Sequence, residues 1–160
     1  MSWQKEIDEL RKREKLAQKM GGAERIQRQR DNGRLTVRER IDKLADQNSF
    51  HEIGTLAGKA EYLDSGELNS FTPSNFVLGT ADLNGRRVVI GGDDFTVRGG
   101  SADAKVGNKS GYAEQYALEM RVPLIRLIDG SGGGGSVKTL EMVGHSYIPE
   151  LQGFETTMKL

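Results

Sequence analysis

The residues that bear most directly on chemistry are Asp129-Gly130-Ser131-Gly132-Gly133-Gly134-Gly135-Ser136. Successive glycines let the backbone approach a ligand closely and point several N–H groups at one anion. Such amides stabilise charge that develops on a carbonyl oxygen, with no acid or base side chain required. Other patterns can be read in the same loop. A phosphate-binding P-loop closes on Gly-Lys-Ser/Thr, but Val137 separates these glycines from Lys138-Thr139. A dinucleotide fingerprint G-x-G-x-x-G can be laid over Gly130, Gly132 and Gly135, although any loop this rich in glycine satisfies it. A hydrolase elbow G-x-S-x-G would use Ser131, yet Asp129 stands where the first glycine belongs, and His145 is the nearby candidate base. The run of four glycines before Ser136 also has the composition of a flexible linker, against which stand the regular patterns on both sides of it.

The elements that must position this loop are legible upstream. Pro123 to Ile128 reads as a mostly buried strand. Before it, Ala113, Tyr116, Ala117 and Met120 share one helical face, and before that Phe76–Leu83 and Arg86–Ile90 flank Asn84-Gly85, the dipeptide of a two-residue β-hairpin. The resulting strand, helix, strand unit predicts parallel pairing, with the glycine loop at a strand's carboxyl end, where α/β architectures bind ligands. Further upstream, Trp3, Ile7, Leu10 and Ala17 recur among charges as an amphipathic helix that Gly21-Gly22 ends. A short helix and a turn at Asn32-Gly33 follow. Thr36-Val37-Arg38-Glu39 is a capping box that starts a helix to Leu44. Asp46 to Ser74 reads as short strands and loops, and Val137 to Leu160 as helix interrupted near Pro149.

Composition narrows the partners. Lys plus Arg (23) equals Asp plus Glu (23) in 160 residues, so no global field attracts nucleic acid or a membrane, and an anionic ligand needs a local patch. Twelve basic residues stand against seven acids before position 41, but the acids are interleaved, which fits a solvated helix or a docking arm better than a nucleic-acid tail. The Trp3, Ile7 and Leu10 stripe is expected to meet the rest of the subunit or a neighbour. The absence of cysteine removes disulfides and thiolate metal sites. No apolar run is long enough to span a bilayer, and neither a secretory nor a transit pattern opens the chain, so a cytoplasmic protein is expected. Glycine is the outlier, with 21 residues against a usual share of about 7%.

A second motif gives the loop a context. Asp94-Phe95-Thr96-Val97-Arg98-Gly99-Gly100-Ser101 resembles the DFTV-x-GGS signature of carboxyltransferase (beta) subunits of biotin-dependent acyl-CoA carboxylases, of the propionyl-CoA and methylcrotonyl-CoA carboxylase type. Gly33-Arg34-Leu35-Thr36-Val37-Arg38-Glu39-Arg40-Ile41 is similar to the family's G-K-L-T-A-R-E-R-I segment. Pro123 to Asp129 with Ser131-Gly132-Gly133 resembles its P-V-I-x-L-x-D-S-G-G-A-R. The chain departs from that pattern at Gly134-Gly135, where the family has Ala-Arg, and at the additional Gly130.

The resemblance implies an α/β, crotonase-like fold of repeated β-β-α units, present here in part. It divides the chain into a helical amino-terminal arm over 1–45 and the first part of an acyl-CoA-binding domain over 46–160. It implies a carboxyl transfer from carboxybiotin, borne by a partner carrier, to the α carbon of a coenzyme A thioester. By that resemblance Gly132 and Gly133 supply backbone oxyanion donors. Gly99, Gly100, Ser101, Ser131 and Gly134 line the substrate site, with Arg98, Lys105 and Lys109 as candidate phosphate contacts. A biotin carboxylase/biotin carrier subunit and a homo-oligomer, a hexamer in this family, are the implied partners, with neither nucleic acid nor membrane. Members are several-fold longer and a main oxyanion glycine pair is expected beyond Leu160, so this chain is expected to be a fragment inactive alone. The competing expectations are a non-catalytic interaction module with the same core and a nucleotide-binding, dehydrogenase-like domain.

Overall fold

A computed structural model describes residues 3–100, 109–130, 140, 141 and 144. Three helices open the chain: α1 (Gln4–Gln18), α2 (Ala23–Asp31) and α3 (Val37–Leu44). Six strands follow, β1 (His51–Ile53), β2 (Gly58–Tyr62), β3 (Leu68–Pro73), β4 (Phe76–Leu83), β5 (Arg86–Asp93) and β6 (Leu124–Leu127), with α4 (Lys109–Met120) between the last two. The capping box forms as its residues dictate. Thr36 accepts from the Glu39 N–H while the Glu39 carboxylate takes the Thr36 N–H at 2.7 Å, satisfying amides that the helix start leaves open.

The main sheet runs β1-β4-β5-β6. β1, β4 and β5 are antiparallel, whereas β6 joins β5 in parallel with Val89 opposite Leu124, because the intervening α4 carries the chain back across the sheet. Asn84 and Gly85 take positive φ (50° and 76°) in the two-residue turn of the hairpin, which continues as paired strands to Asp93 rather than ending at Ile90.

Period-two alternation sorts the hairpin's side chains to two covered faces. Val77, Ala81, Val88 and Ile90 pack with Val37 and Ile41 of α3. Phe76, Leu78 and Val89 pack with Ala113 and Ala117 of α4. Both faces being buried explains why these strands read as near-continuous apolar runs. A separate antiparallel pair, β2-β3, lies beside α1, tied by Lys12 Nζ donating to the Leu68 carbonyl at 3.1 Å and by Arg13 over the Tyr62 ring.

Two expectations are corrected. Met120 is 52% exposed and is not among the side chains packed with Ala113 and Ala117. The strand expected from Pro123 to Ile128 spans only Leu124–Leu127 and is half-buried, since it pairs on one side only among the described residues. Ile128, having left the ladder, is 74% exposed. The Trp3, Ile7 and Leu10 stripe is exposed in this chain, which leaves the expected contact with the rest of the subunit or a neighbour open, and Ala17 of the same pattern is buried. Of the Val137 to Leu160 expectation, all but Leu140, Glu141 and Gly144 falls outside the described residues.

Candidate functional site

The carboxyl ends of β5 and β6 lie side by side, so the chain leaving each is brought to the same place. After β5 the segment Asp94 to Gly100 folds into a tight turn. The Asp94 carbonyl accepts from Val97 N and the Val97 carbonyl from Gly100 N, each at 3.1 Å. Arg98, Gly99 and Gly100 are all left-handed, with φ of 51°, 66° and 62°. For Arg98 that conformation is uncommon, and such conformations gather at working sites. A Cβ on Gly100 would sit 2.6 Å from the carbonyl oxygen of Asp129 and 3.3 Å from Gly130 Cα. The turn after β5 therefore abuts the first residues of the glycine loop, and Asp129 N donates to Asp93 Oδ2 at 3.3 Å.

The turn is held from within and from behind. Asp94 is buried, and its Oδ1 accepts from the Thr96 N–H at 2.9 Å and the Thr96 hydroxyl at 2.6 Å. Burial raises the Asp94 carboxyl above its ordinary 3.8, against the opposing pull of the Thr96 hydrogen bonds and of Arg38. Gly21 N donates in turn to Thr96 Oγ1 at 2.9 Å, and Arg25 reaches the Thr96 carbonyl at 3.4 Å. A Cβ on Gly21 would land on that same carbonyl oxygen, so only glycine lets the junction of α1 and α2 close onto the turn. Gln29 of α2, itself buried, donates to Asp129 Oδ2 at 3.1 Å. The amino-terminal helices thus brace both motifs.

Asp94 offers a pH test. A carboxyl whose folded value is raised binds its proton more readily in the native state, so its contribution to stability falls as pH rises above 3.8 towards the raised value. Asp94→Asn keeps the Oδ1 acceptor and is expected to lack that decline in chemical denaturation across the same pH window. Asp94→Ala leaves the Thr96 donors without their acceptor and should cost about 1 to 3 kcal/mol, with the larger cost at the low-pH end of that window. Parallel pH profiles for wild type and Asp94→Asn would contradict the assignment.

A second polar cluster lies beside the site. Arg38 of α3 grips Glu52 of β1 through two bonds of 2.7 and 3.1 Å. The Lys109 ammonium sits 3.9 Å from the same carboxylate, and its side chain is only 10% exposed. Burial lowers the Lys109 ammonium below its usual range, opposed by Glu52. Lys109 is turned into this cluster. Arg98, by contrast, is exposed. Ser101, Lys105, Ser131, Gly132, Gly133 and Gly134 lie outside the described residues. Of the expected site residues, the structure brings Gly99 and Gly100 to the start of the glycine loop.

An open cavity of about 290 Å³ adjoins this point, lined by Arg34, Leu35, Arg40, Ile128 and Asp129. Arg34 stacks over the Phe95 ring, 5.9 Å from its centroid, and Arg40 donates to the Ile128 carbonyl at 3.4 Å. Neither arginine was singled out as a ligand contact by the sequence. The available signal was their place in the Gly33–Ile41 motif. A cavity of about 440 Å³ lies by Asp46, whose carboxylate holds the Asn84 and Gly85 amides, and its acidic lining does not suit an anion.

Comparison with known proteins gives this arrangement its family. Residues 28–147 match the carboxyl transferase domain. The chain belongs to that family. The carboxyltransferase subunit of propionyl-CoA carboxylase from Haloferax mediterranei is 33% identical over 132 residues, covering 82% of this chain and 26% of that protein. Methylmalonyl-CoA decarboxylase subunit alpha from Veillonella parvula is 35% identical over 122 residues, covering 74% and 24%. This carboxyl transferase chain therefore spans about a quarter of the length of the curated relatives it matches. Among solved structures, transcarboxylase 12S, a hexamer with methylmalonyl-coenzyme A bound, superimposes with a TM-score of 0.67 at 24% identity over 99% of this chain and 28% of its own. The beta subunit of P. aeruginosa geranyl-CoA carboxylase does so at 0.62 and 20%, over 86% and 25%. The fold is thus the α/β, crotonase-like architecture, in part. Among the described residues no helix is long and apolar enough to cross a membrane, and no group of three or more His, Cys, Asp or Glu is arranged to hold a metal.

Proposed function

We propose that the intact protein moves a carboxyl group between carboxybiotin and the α carbon of an acyl-CoA, and that this chain contributes the acyl-CoA side. The observation that carries the reading is the contact of Gly100 with Asp129 and Gly130, which joins the DFTV-x-GGS turn to the head of the glycine loop at the carboxyl end of a parallel strand pair. In this reading Gly132 and Gly133 aim backbone N–H groups at the thioester oxygen. Charge that gathers there when the α proton leaves is then met by donors already in place. Gly99, Gly100, Ser101, Ser131 and Gly134 line the substrate's path, with Arg98 and Lys105 as the sequence's own candidates for its phosphates.

Bound beside the thioester, carboxybiotin would supply the carbon dioxide and, on losing it, a ureido nitrogen able to accept the α proton. No protein base is then required, which agrees with the one buried carboxyl among the described residues, Asp94, being committed to the Thr96 backbone and hydroxyl. The same groups serve the reverse transfer, the direction in which the Veillonella relative is named. The carrier of biotin and the further oxyanion donors belong to partner chains or to segments beyond residues 1–160. A hexameric assembly in the cytoplasm, and a division into an arm over 1–45 and a domain from 46, complete the proposal.

Titration of propionyl-CoA into the intact protein by calorimetry tests it. Saturable binding is expected. Its absence at millimolar ligand would remove the enzyme reading in favour of an interaction module, and binding of a nicotinamide nucleotide in its place would favour a dehydrogenase.

A further inference from the structure

We propose that Arg34 and Arg40 form the seat for the phosphates of the substrate's coenzyme A, so that specificity for the nucleotide end is set by the link between α2 and α3 rather than by the helix that follows the DFTV-x-GGS turn. The inference rests on the acyl-CoA reading above and goes beyond it.

Three observations carry it. The first is position. The 290 Å³ cavity is bounded by Ile128 and Asp129, the residues that lead directly into the glycine loop. Gly133 follows Asp129 by four positions, a span of at most about 14 Å, so one extended ligand can meet both places.

The second is charge. Arg13, Arg30, Arg38, Arg87 and Arg126 each pair with a carboxylate within 4.0 Å. Among the described residues Arg34 and Arg40 do not. Arg34 lies on the Phe95 face and Arg40 makes one contact, at 3.4 Å, with the Ile128 carbonyl. Most of their donors are thus open to a planar, multi-oxygen anion, the geometry that guanidinium suits best. The one carboxylate in the lining, Asp129, already has Oδ2 held by Gln29 at 3.1 Å, leaving the cavity with two cations to one anion.

The third is the character of the remaining wall. Leu35 is 37% exposed and Ile128 is 74% exposed, so apolar surface lies beside the two guanidiniums. That mixture suits a nucleotide, which is flat and apolar on its base and anionic at its phosphates. Lys109, by contrast, has its ammonium turned to Glu52 and nearly out of solvent.

The test compares propionyl-CoA with S-propionyl-pantetheine, which carries the same thioester but no phosphate, on the intact protein with its biotin-carrying partner. In Arg34→Gln/Arg40→Gln the ratio of kcat/KM for the two substrates should fall about tenfold or more against propionyl-CoA, carried by KM rather than kcat. Raised salt should weaken propionyl-CoA binding in wild type more steeply than in the double variant. If the double variant does not fold, as judged by its melting curve, Arg40→Gln alone should still lower the ratio several-fold. A ratio equal to that of wild type overturns the proposal and leaves the acyl-CoA reading standing, as does a loss of equal size on both substrates. A wild-type protein that binds no propionyl-CoA overturns both.

Discussion

Gly100→Val is expected to destabilise the intact protein by about 3 kcal/mol or more and to abolish propionyl-CoA binding under conditions where the remainder is still folded. Two independent effects add. The residue sits at φ 62°, where a side chain with a Cβ costs about 1 to 2 kcal/mol and a branched one is held still less readily. The new Cβ would also lie 2.6 Å from the Asp129 carbonyl oxygen. Since the opposing atom is backbone, relief requires the end of β6 to move, which overpacked sites resist at about 1 to 3 kcal/mol. Gly66→Val separates the two parts. Gly66 has a similar φ of 78° with nothing within 4 Å of the would-be Cβ, so it should show the conformational cost alone. Equal destabilisation of the two variants in denaturant titrations would mean that the turn and the loop do not touch.

The second large effect falls on chemistry rather than stability. Gly133→Val should reduce carboxyl transfer by about a hundredfold while leaving the melting temperature close to that of wild type, because loss of one well-placed oxyanion donor has effects of that order. In the proposed site the substitution would keep the N–H but hold the backbone back from the thioester, since a branched residue narrows the conformations that allow a close approach. Carboxylated product measured by mass spectrometry at saturating propionyl-CoA gives the number. Activity within a few-fold of wild type would exclude this loop as the oxyanion device.

The parts of the fold that could be read in the sequence are those governed by short-range rules. Thr36 and Glu39 announce a helix start because the two hydrogen bonds they exchange lie within four residues. Asn84-Gly85 announces a hairpin because few other pairs accept two positive φ values. The parallel pairing of β5 with β6 follows from the length of the helical pattern between them.

What the sequence withheld is set at long range. Nothing local to Gly21 indicates that its N–H serves Thr96, 75 positions away, or that Gln29 holds Asp129 across 100. Arg38, Glu52 and Lys109 come from three separate elements, and their meeting depends on how α3 and α4 clasp opposite faces of the sheet. Edge position also escapes periodicity. Pro123 to Ile128 has the composition of a buried strand, yet with one pairing partner among the described residues it is half-exposed, and Met120 is exposed with it.

For the site, motif resemblance pointed to the turn at Gly99-Gly100 and to the ligand class proposed for it. Its contact with the glycine loop, and the bracing of both by α1 and α2, came only with the fold. Arg34 and Arg40 illustrate the difference. In the sequence they are two of twelve basic residues before position 41, and only the packing of α3 beside the end of β6 brings them to one cavity.

The most direct test of the central claim supplies the intact protein with a carboxylated biotin carrier and propionyl-CoA, and follows the thioester by mass spectrometry. The account predicts a product heavier by one carboxyl group, bearing it on the α carbon, and formed in step with loss of carboxybiotin. Discharge of carboxybiotin with propionyl-CoA left unchanged, or no reaction of either, would contradict it.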